Sequence, residues 1–489
     1  MSLVSDIEKH SQNHIETVSD ENLSELSREH IDYLMQRHGT VDLDPLPSMD
    51  PEDPLNWPTW RKNYEILIIA FQCFLGNYFS ASLTPAYEDM AVQYGVDVPT
   101  SSYLTSAQIA VVGVLPFFWV PIMNTYGRRS ILMYTAFCAI GINIAGAYVK
   151  TYGQQMATRC LYAFCAATAS ALGSAVVSDL SFSHERGMKN GWWSLGFVLG
   201  TPSGPFISGF IMQYSTKKWI FFMFAIFNAI QVVLFFFSKE TVYNRGDKLE
   251  EPSGIIKLIG IYRRNNNKVT LGSFISPLKQ GLNWRIGTIV IALSVTFAYA
   301  NIVLIVEMPQ TFGTIFELSP QALGLHYIAL ILGSVIGEAL AGSLSDWWMA
   351  KSIKRRGGKR IIADRLYVSY NGFLLVIIGL VVWGVYLDRA RPDHWSISAL
   401  IGAAIMAVGN NIVATVLITY SIDCNPAYAS DIGLFITIVR QVYGFVAPFY
   451  FPSMFTNLGF IGSAGLMIGL VFVFGTIVTS FVHFMSRKV

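Results

Sequence analysis

From about residue 64 onward, long apolar stretches alternate with short polar breaks. Stretches of mostly apolar residues, long enough to cross a bilayer, lie at about 64–84, 102–123, 130–149, 155–177, 190–213 and 218–238. A polar break at 239–284 follows, and then about 285–308, 321–346, 365–387, 396–421, 431–452 and 460–484. The pattern predicts twelve spans in two groups of six, numbered 1–12 in chain order. Helices suit such stretches because each satisfies its own backbone polar groups away from water. Residues 1–50 break the pattern, being rich in Asp, Glu, Ser and His. They predict a disordered acidic tail, with a short amphipathic helix at about Glu21–Arg37 stopped by Gly39. Such a tail can bind a regulator or simply remain solvated. The turn-rich segment Asp50–Lys62, ending in Trp and a basic pair, reads as an interfacial approach to span 1.

Composition strengthens this picture. The chain of 489 residues is 53% apolar and 13% charged, against about 25% charged in a soluble domain, and its mean hydropathy is +0.44. An all-α polytopic membrane protein follows. Net charge of +2 carries no argument for nucleic acid. Five cysteines, Cys73, Cys138, Cys160, Cys165 and Cys424, fit neither a metal site nor a disulfide framework. Residues 1–50 contain no apolar h-region, so no cleavable signal peptide is expected. No Walker sequence and no His or Cys cluster is present, which argues against an enzyme, a metal, a cofactor or ATP as the energy source.

Charge distribution sets the expected orientation, because cytosolic loops are enriched in Lys and Arg. Arg128 and Arg129 follow span 2, Arg186 and Lys189 follow span 4, and the central connection holds Arg263 and Arg264 among others. The connection after span 8 carries seven basic residues between Lys351 and Arg365. Loops after spans 1, 7 and 11 carry none. Both termini are therefore expected in the cytosol, consistent with an even number of spans.

The two groups of spans repeat. At a constant offset of 224 residues, Trp60-Arg61 matches Trp284-Arg285, Asn77 matches Asn301 and Pro85 matches Pro309. Further on, Gly196-Phe-Val in span 5 echoes Gly444-Phe-Val in span 11, and Asp179 echoes Asp423. Repeats of this kind are a transporter architecture with the substrate site near midplane between them. Span 5 is the most unusual stretch. Gly196, Gly200 and Gly204 share one helix face on which another backbone can settle, and Pro202 and Pro205 bend the helix beyond it. In span 8, Gly333, Gly337 and Ala341 form a similar small-residue face, which makes spans 5 and 8 natural partners across the seam between halves.

These features resemble the major facilitator superfamily, and within it the fungal twelve-helix drug:proton antiporter branch, over about residues 50–487. The spaced glycines of span 5 ending in Gly204-Pro205 are similar to that branch's antiporter signature. Gly127-Arg128-Arg129 is similar to the basic end of the superfamily's loop motif, although Asn124 and Thr125 stand where the motif has Asp and Arg. In the second half the acidic member is kept in Gly342-Ser-Leu-Ser-Asp346. Arg159 matches the membrane-embedded arginine of a third motif, with Tyr162 and Ala163 in place of the usual Gln and Gly. The resemblance implies the major facilitator fold of two pseudo-symmetric six-helix bundles, residues 51–238 and 285–489, joined by a cytosolic loop at 239–284. It implies a small organic substrate, protons as coupling ions, the bilayer as the only other partner, and a monomer.

Ionisable side chains inside spans are expensive, at about 2.5–3.5 kcal/mol near the helix centre, and so are functional candidates. Glu338 lies about 100° around span 8 from Gly337 and would border the seam, where it can carry a coupled proton, oppose a cationic substrate, or act as a structural pair. Arg159 can assist proton coupling, as the resemblance implies, or serve as a strut bonded to backbone carbonyls. Arg440 lies about 13.5 Å along span 11 from Asp431 and can meet an anionic group or join a pair within the bundle. Asn77, Tyr78, Tyr299, Asn301, Asn410, Asn411 and Tyr443 are expected to complete a substrate cavity. Gly127, Arg128, Arg129, Asp179, Gly196, Gly200, Gly204, Pro205, Gly333, Gly337 and Asp346 are expected at gates and helix interfaces, and Glu307 near the outer mouth.

The resulting expectation is a proton-driven exporter of drugs, xenobiotics or secondary metabolites, in a fungal plasma membrane rather than a vacuolar one. A proton symporter importing a nutrient such as a polyamine is the alternative, and a non-transporting sensor a third.

Overall fold

The computed structural model describes residues 27–41, 43–170, 172–243, 260, 262, 271–356, 361–392, 395–425 and 428–487. Eleven helices among them are long and apolar enough to cross a membrane, and a bent pair, Val98–Val114 with Pro116–Tyr126, makes a twelfth span. The 41° bend of that pair falls where Pro116 begins its second half, as expected for a residue without an N–H to donate. Span 1 is Thr59–Ala81, span 5 Ser183–Tyr214, span 6 Lys217–Phe237, span 9 Leu366–Asp388 and span 10 Ser398–Cys424. Span 8 runs through Pro320–His326 and Ile328–Arg355, about two and a half turns beyond its apolar stretch. Span 7 is Trp284–Phe297 followed by a wider π turn at Ala298–Ile302 and the short Val303–Val306. Span 11 is Ala429–Val446.

The face of the bundle that carries the chain ends is called here the terminal face, and its opposite the distal face. On the terminal face the chain departs from expectation. Where a disordered tail is predicted, residues 27–41 and 43–50 are folded against the first half. A helix at Arg28–His38 starts at Ser27, whose side chain accepts from His30 N, and stops at Gly39 with φ 75°. Its Leu34 is fully buried. Arg37 donates to Asn56 O at 2.7 Å, and His38 Nε2 lies 3.0 Å from Asn56 Oδ1. One apolar anchor and an amide-centred hydrogen-bond cluster therefore hold this segment down. Its predicted start at Glu21 lies outside the described residues, as does most of the predicted loop at 239–284, including Arg263 and Arg264.

Each half is locked at the terminal face by an arginine. Arg128 Nη1 pairs with Asp179 Oδ2 at 2.6 Å, and its guanidinium also donates to Asn124 Oδ1 at 3.0 Å. Glu240 accepts from the backbone N–H groups of Arg128 and Arg129, at 2.9 and 3.1 Å. The turn requires Gly127, whose φ of 98° disfavours any side chain. Asn124, in the place of the motif's Asp, thus still accepts from Arg128, while Asp179 and Glu240 contribute the negative charge. In the second half Arg365 reaches Asp423 at 3.4 Å and Asp346 at 3.6 Å. The echo between Asp179 and Asp423 corresponds to two equivalent clamps.

The small-residue faces pack differently from the expected pairing of spans 5 and 8. A Cβ added to Gly196, Gly200 or Gly204 would lie 3.0, 2.7 or 2.3 Å from the carbonyl oxygens of Ala70, Phe74 and Tyr78. All three belong to span 1, so span 5 lies backbone against backbone on span 1 within its own half. Gly333 and Gly337 face Ala404 O and Val408 O of span 10, at 2.5 and 2.9 Å from an added Cβ. Small residues report close approach but not the partner, and helices adjacent in one bundle satisfy it first. Between halves, spans 5 and 8 do touch near the distal face, where Gly209 meets Gly324 and Pro320 O, and Pro205 O approaches Gly324. Tyr103 stacks on Phe449 at 4.4 Å, and Tyr214 donates to Gln321 at 3.0 Å. Near mid-bundle, Gly113 of span 2 accommodates Gln441 of span 11.

Candidate functional site

A cavity of ≈ 490 Å³ lies between the halves. Span 1 contributes Asn77 and Ser80, and span 5 contributes Trp193, Ser194, Phe197 and Thr201. From the other half come Phe297 and Asn301 of span 7, Glu338 of span 8, Asn410, Asn411 and Thr415 of span 10, and Arg440 and Gln441 of span 11. The lining continues to Ser178, Asp179, Ile422 and Ser430 at the terminal-face ends of their helices. The cavity therefore extends from mid-bundle toward the terminal face, while Tyr103–Phe449 and Gly209–Gly324 close the distal side.

Asn77 and Asn301, matched by the repeat, line this cavity from pseudo-equivalent helices. Asn77 and Asn411 each donate one amide hydrogen to the carbonyl four residues back, Cys73 O at 3.0 Å and Ala407 O at 2.9 Å. That bond fixes the side chain along its helix and leaves the amide oxygen free of it. Asn301 sits in the π turn of span 7, a local widening that commonly marks functional sites.

Glu338 bridges the seam. Ser194 Oγ of span 5 donates to Glu338 Oε1 at 2.7 Å, and Thr415 Oγ1 of span 10 donates to Oε2 at 3.3 Å. Its carboxyl is thus held by one hydroxyl from each half. Both hydroxyl partners were outside the sequence-based set, since Ser and Thr occur throughout these spans without a distinguishing pattern.

Three expected cavity residues lie elsewhere. Tyr78 is fully buried and turned toward span 6, its hydroxyl 3.7 Å from Met223 Sδ and its ring 5.6 Å from Phe224. Tyr299 and Tyr443 form a hydroxyl cluster with Tyr450, at 3.4 and 3.0 Å, inside the second half. Depth along a span predicts burial but not which side of the helix faces the cavity, and one residue of rotation from Asn77 moves Tyr78 by about 100°.

Arg159 and Arg440 are both buried, at 1% and 8% exposure, with contrasting surroundings. Arg159 donates from Nη2 to Phe79 O and Ser80 O at 3.0 and 2.9 Å, and lies over the Phe79 ring at 4.4 Å. It braces span 4 against the end of span 1 and does not line the cavity. Arg440 lines the cavity and lies against two rings, Phe197 of span 5 at 5.4 Å and Phe297 of span 7 at 4.8 Å. Its Nε is buried without an acceptor among the described residues. Glu307, fully buried beyond the end of span 7, also has two carboxyl oxygens without a partner there. Charged residues facing such neighbours are not distinguishable from paired ones by sequence alone.

A two-bundle membrane protein with one cavity walled by both bundles has the architecture of an alternating-access carrier. The sequence profile of the Major Facilitator Superfamily matches residues 66–448. The chain is 28% identical over 445 residues to the efflux pump vrtL of Penicillium aethiopicum, covering 87% of this chain and 86% of that protein. It is 27% identical over 434 residues to the MFS transporter cpaT of Aspergillus oryzae, covering 86% of each. Its fold is similar to a bacterial homologue of the human lysosomal transporter Spinster, solved inward-facing and unoccupied. The TM-score is 0.59 at 13% identity, over 88% of this chain and 98% of that one. The chain belongs to the Major Facilitator Superfamily, and it is a multi-pass membrane transporter whose relatives include fungal efflux pumps.

Proposed function

We propose that this transporter is a proton-driven exporter of small amphipathic organic compounds in a fungal plasma membrane. The observation that carries the reading is the cavity at the seam, with Glu338 tied to Ser194 of the opposite half at 2.7 Å. A carboxyl held across the moving interface can link its protonation to the separation of the halves, because gaining a proton changes which hydrogen bonds it can accept. Asn77, Asn301, Asn410, Asn411 and the aromatic rings of Phe197 and Phe297 provide the mixture of polar and apolar surface that suits such solutes. Export as the direction draws on the name of the Penicillium relative. With both termini cytosolic, as the basic loops favour, the cavity described here opens inward and loads from the cytosol. Arg159, which stands behind the lining residue Ser80 and does not itself line the cavity, supports the cycle by holding span 4 to span 1 and is not assigned a proton.

The test uses the purified chain in vesicles with an imposed pH gradient and a panel of labelled compounds. Gradient-driven accumulation that disappears when the gradient is collapsed is the expected result. Glu338→Gln should abolish accumulation and leave substrate exchange without a gradient. Accumulation indifferent to the gradient would sink the proton-coupled reading.

A further inference from the structure

Two acidic groups and one basic group line the cavity among the described residues, and their surroundings are unequal. Asp179 is paired with Arg128 at 2.6 Å. Each oxygen of Glu338 accepts a hydroxyl, from Ser194 and Thr415. Arg440 alone has no hydrogen-bond acceptor and no carboxylate within pairing distance among the described residues, although it is 92% buried. Its charge rests instead against the Phe197 and Phe297 rings, one from each half. Contact with ring faces leaves the in-plane N–H donors of a guanidinium unmet, and such a fork matches a carboxylate or sulfonate in two parallel bonds. Beside it, Gln441 also has a buried, unpartnered amide oxygen lining the same space.

We propose that Arg440 is the receptor for the anionic group of an aromatic solute, so that this transporter carries organic monoanions bearing a carboxylate or sulfonate. The substrate's ring packs alongside Phe197 and Phe297 on the cavity side of the guanidinium, and its anion completes the bonds that the protein leaves open. A cationic amine would meet Glu338 with each oxygen already accepting a hydroxyl, and would share the cavity with the uncompensated positive charge of Arg440. Because Phe197 and Phe297 belong to opposite halves, the same solute contacts both sides of the seam. The inference deepens the exporter reading by naming its substrate class, and rests on the cavity being the transport site.

The test is equilibrium binding to the full chain in lipid nanodiscs at about pH 7.5, with three probes sharing one ring: 1-naphthoate, 1-naphthylmethanol and 1-naphthylmethylamine. Naphthoate should bind at least ~10-fold more tightly than the amine. Arg440→Gln should weaken naphthoate by ~10-fold or more, the scale of a lost charge-assisted hydrogen bond, while moving the alcohol less than about two-fold. Arg440→Lys should fall between, having the charge without the fork, and decides the matter if the glutamine variant does not fold. Amine binding as tight as naphthoate, equal losses for naphthoate and alcohol, or no naphthoate binding each overturn the inference. Binding needs no gradient. Failed anion selectivity with intact proton-driven flux therefore removes only this inference, whereas selective binding without gradient dependence removes only the coupling.

Discussion

Spans 5 and 11 share a Gly-Phe-Val sequence, at Gly196 and Gly444, and lean on equivalent neighbours, yet they do so differently. Span 5 rests on the backbone of span 1, with a Cβ on Gly204 placed 2.3 Å from Tyr78 O. Gly444 of span 11 faces side-chain atoms of span 7, Ile302 and Phe297, each 3.2 Å from an added Cβ. Span 7 also loosens into a π turn at Ala298–Ile302, whereas span 1 stays α-helical from Thr59 to Ala81. One pair is locked by carbonyls that cannot yield, and the other is spaced by side chains that can. The looser pair contributes Phe297, Asn301 and Arg440 to the cavity. The tight pair supplies a rigid wall, and the polar groups of its partner half are arranged around it.

Breaking the tight pair should have the largest effect. Gly204→Val places atoms inside span 1's backbone, and overpacking of this kind costs about 1–3 kcal/mol or more. A lower unfolding temperature in detergent, together with loss of transport, is expected. Gly444→Ala at the looser pair should change stability by less than about 1 kcal/mol, because only side-chain atoms need shift. Equal destabilisation by both would erase the contrast between the pairs.

The two buried arginines sharpen it next. Arg159→Ala removes the donor serving Phe79 O and Ser80 O, and should cost about 1.5–3 kcal/mol in thermal unfolding. Arg440→Ala, which leaves no intramolecular acceptor unpaired, should be better tolerated in the same measurement. An Arg440 variant as unstable as the Arg159 variant would make it a strut as well.

At the terminal face the difference should be smaller. The Arg128–Asp179 pair is short, and Arg128's side chain is 8% exposed, while Asp346 is 77% exposed in its contact with Arg365. Asp346→Asn should therefore lie within the 0–1 kcal/mol typical of exposed pairs, or about that. Arg128→Ala should exceed it, since Asp179 and Asn124 both lose a donor. Comparing the two unfolding temperatures checks the ordering.

Much of this was legible from residue types. Apolar length located the spans, since a bilayer imposes a minimum length on every helix that crosses it, although spans 5 and 8 run on past their apolar stretches to Ser183 and Arg355. The offset repeat placed Asn77 and Asn301 in one cavity. By contrast, small-residue faces on spans 5 and 8 suggested a mutual contact, whereas each packs on a neighbour in its own bundle. Tyr78, Tyr299 and Tyr443 have the right depth and the wrong rotation. The tail at 27–41 and 43–50 looked too polar to fold, and the buried Leu34 with the Asn56 cluster holds it in place.

Sequence alone thus determined the class of fold, the number of spans, their grouping into two repeats and the presence of charges within them. These follow from free energies of transfer and from one-dimensional periodicity, which act residue by residue. Tertiary structure decided which glycine face meets which helix, which polar residue turns to the cavity, and which arginine finds acceptors. Those outcomes depend on helix rotation and on the carbonyls, rings and hydroxyls brought from distant spans. Arg159 and Arg440 are alike as residues in apolar helices. Only the neighbours assembled by folding make the first a brace and leave the second without an acceptor.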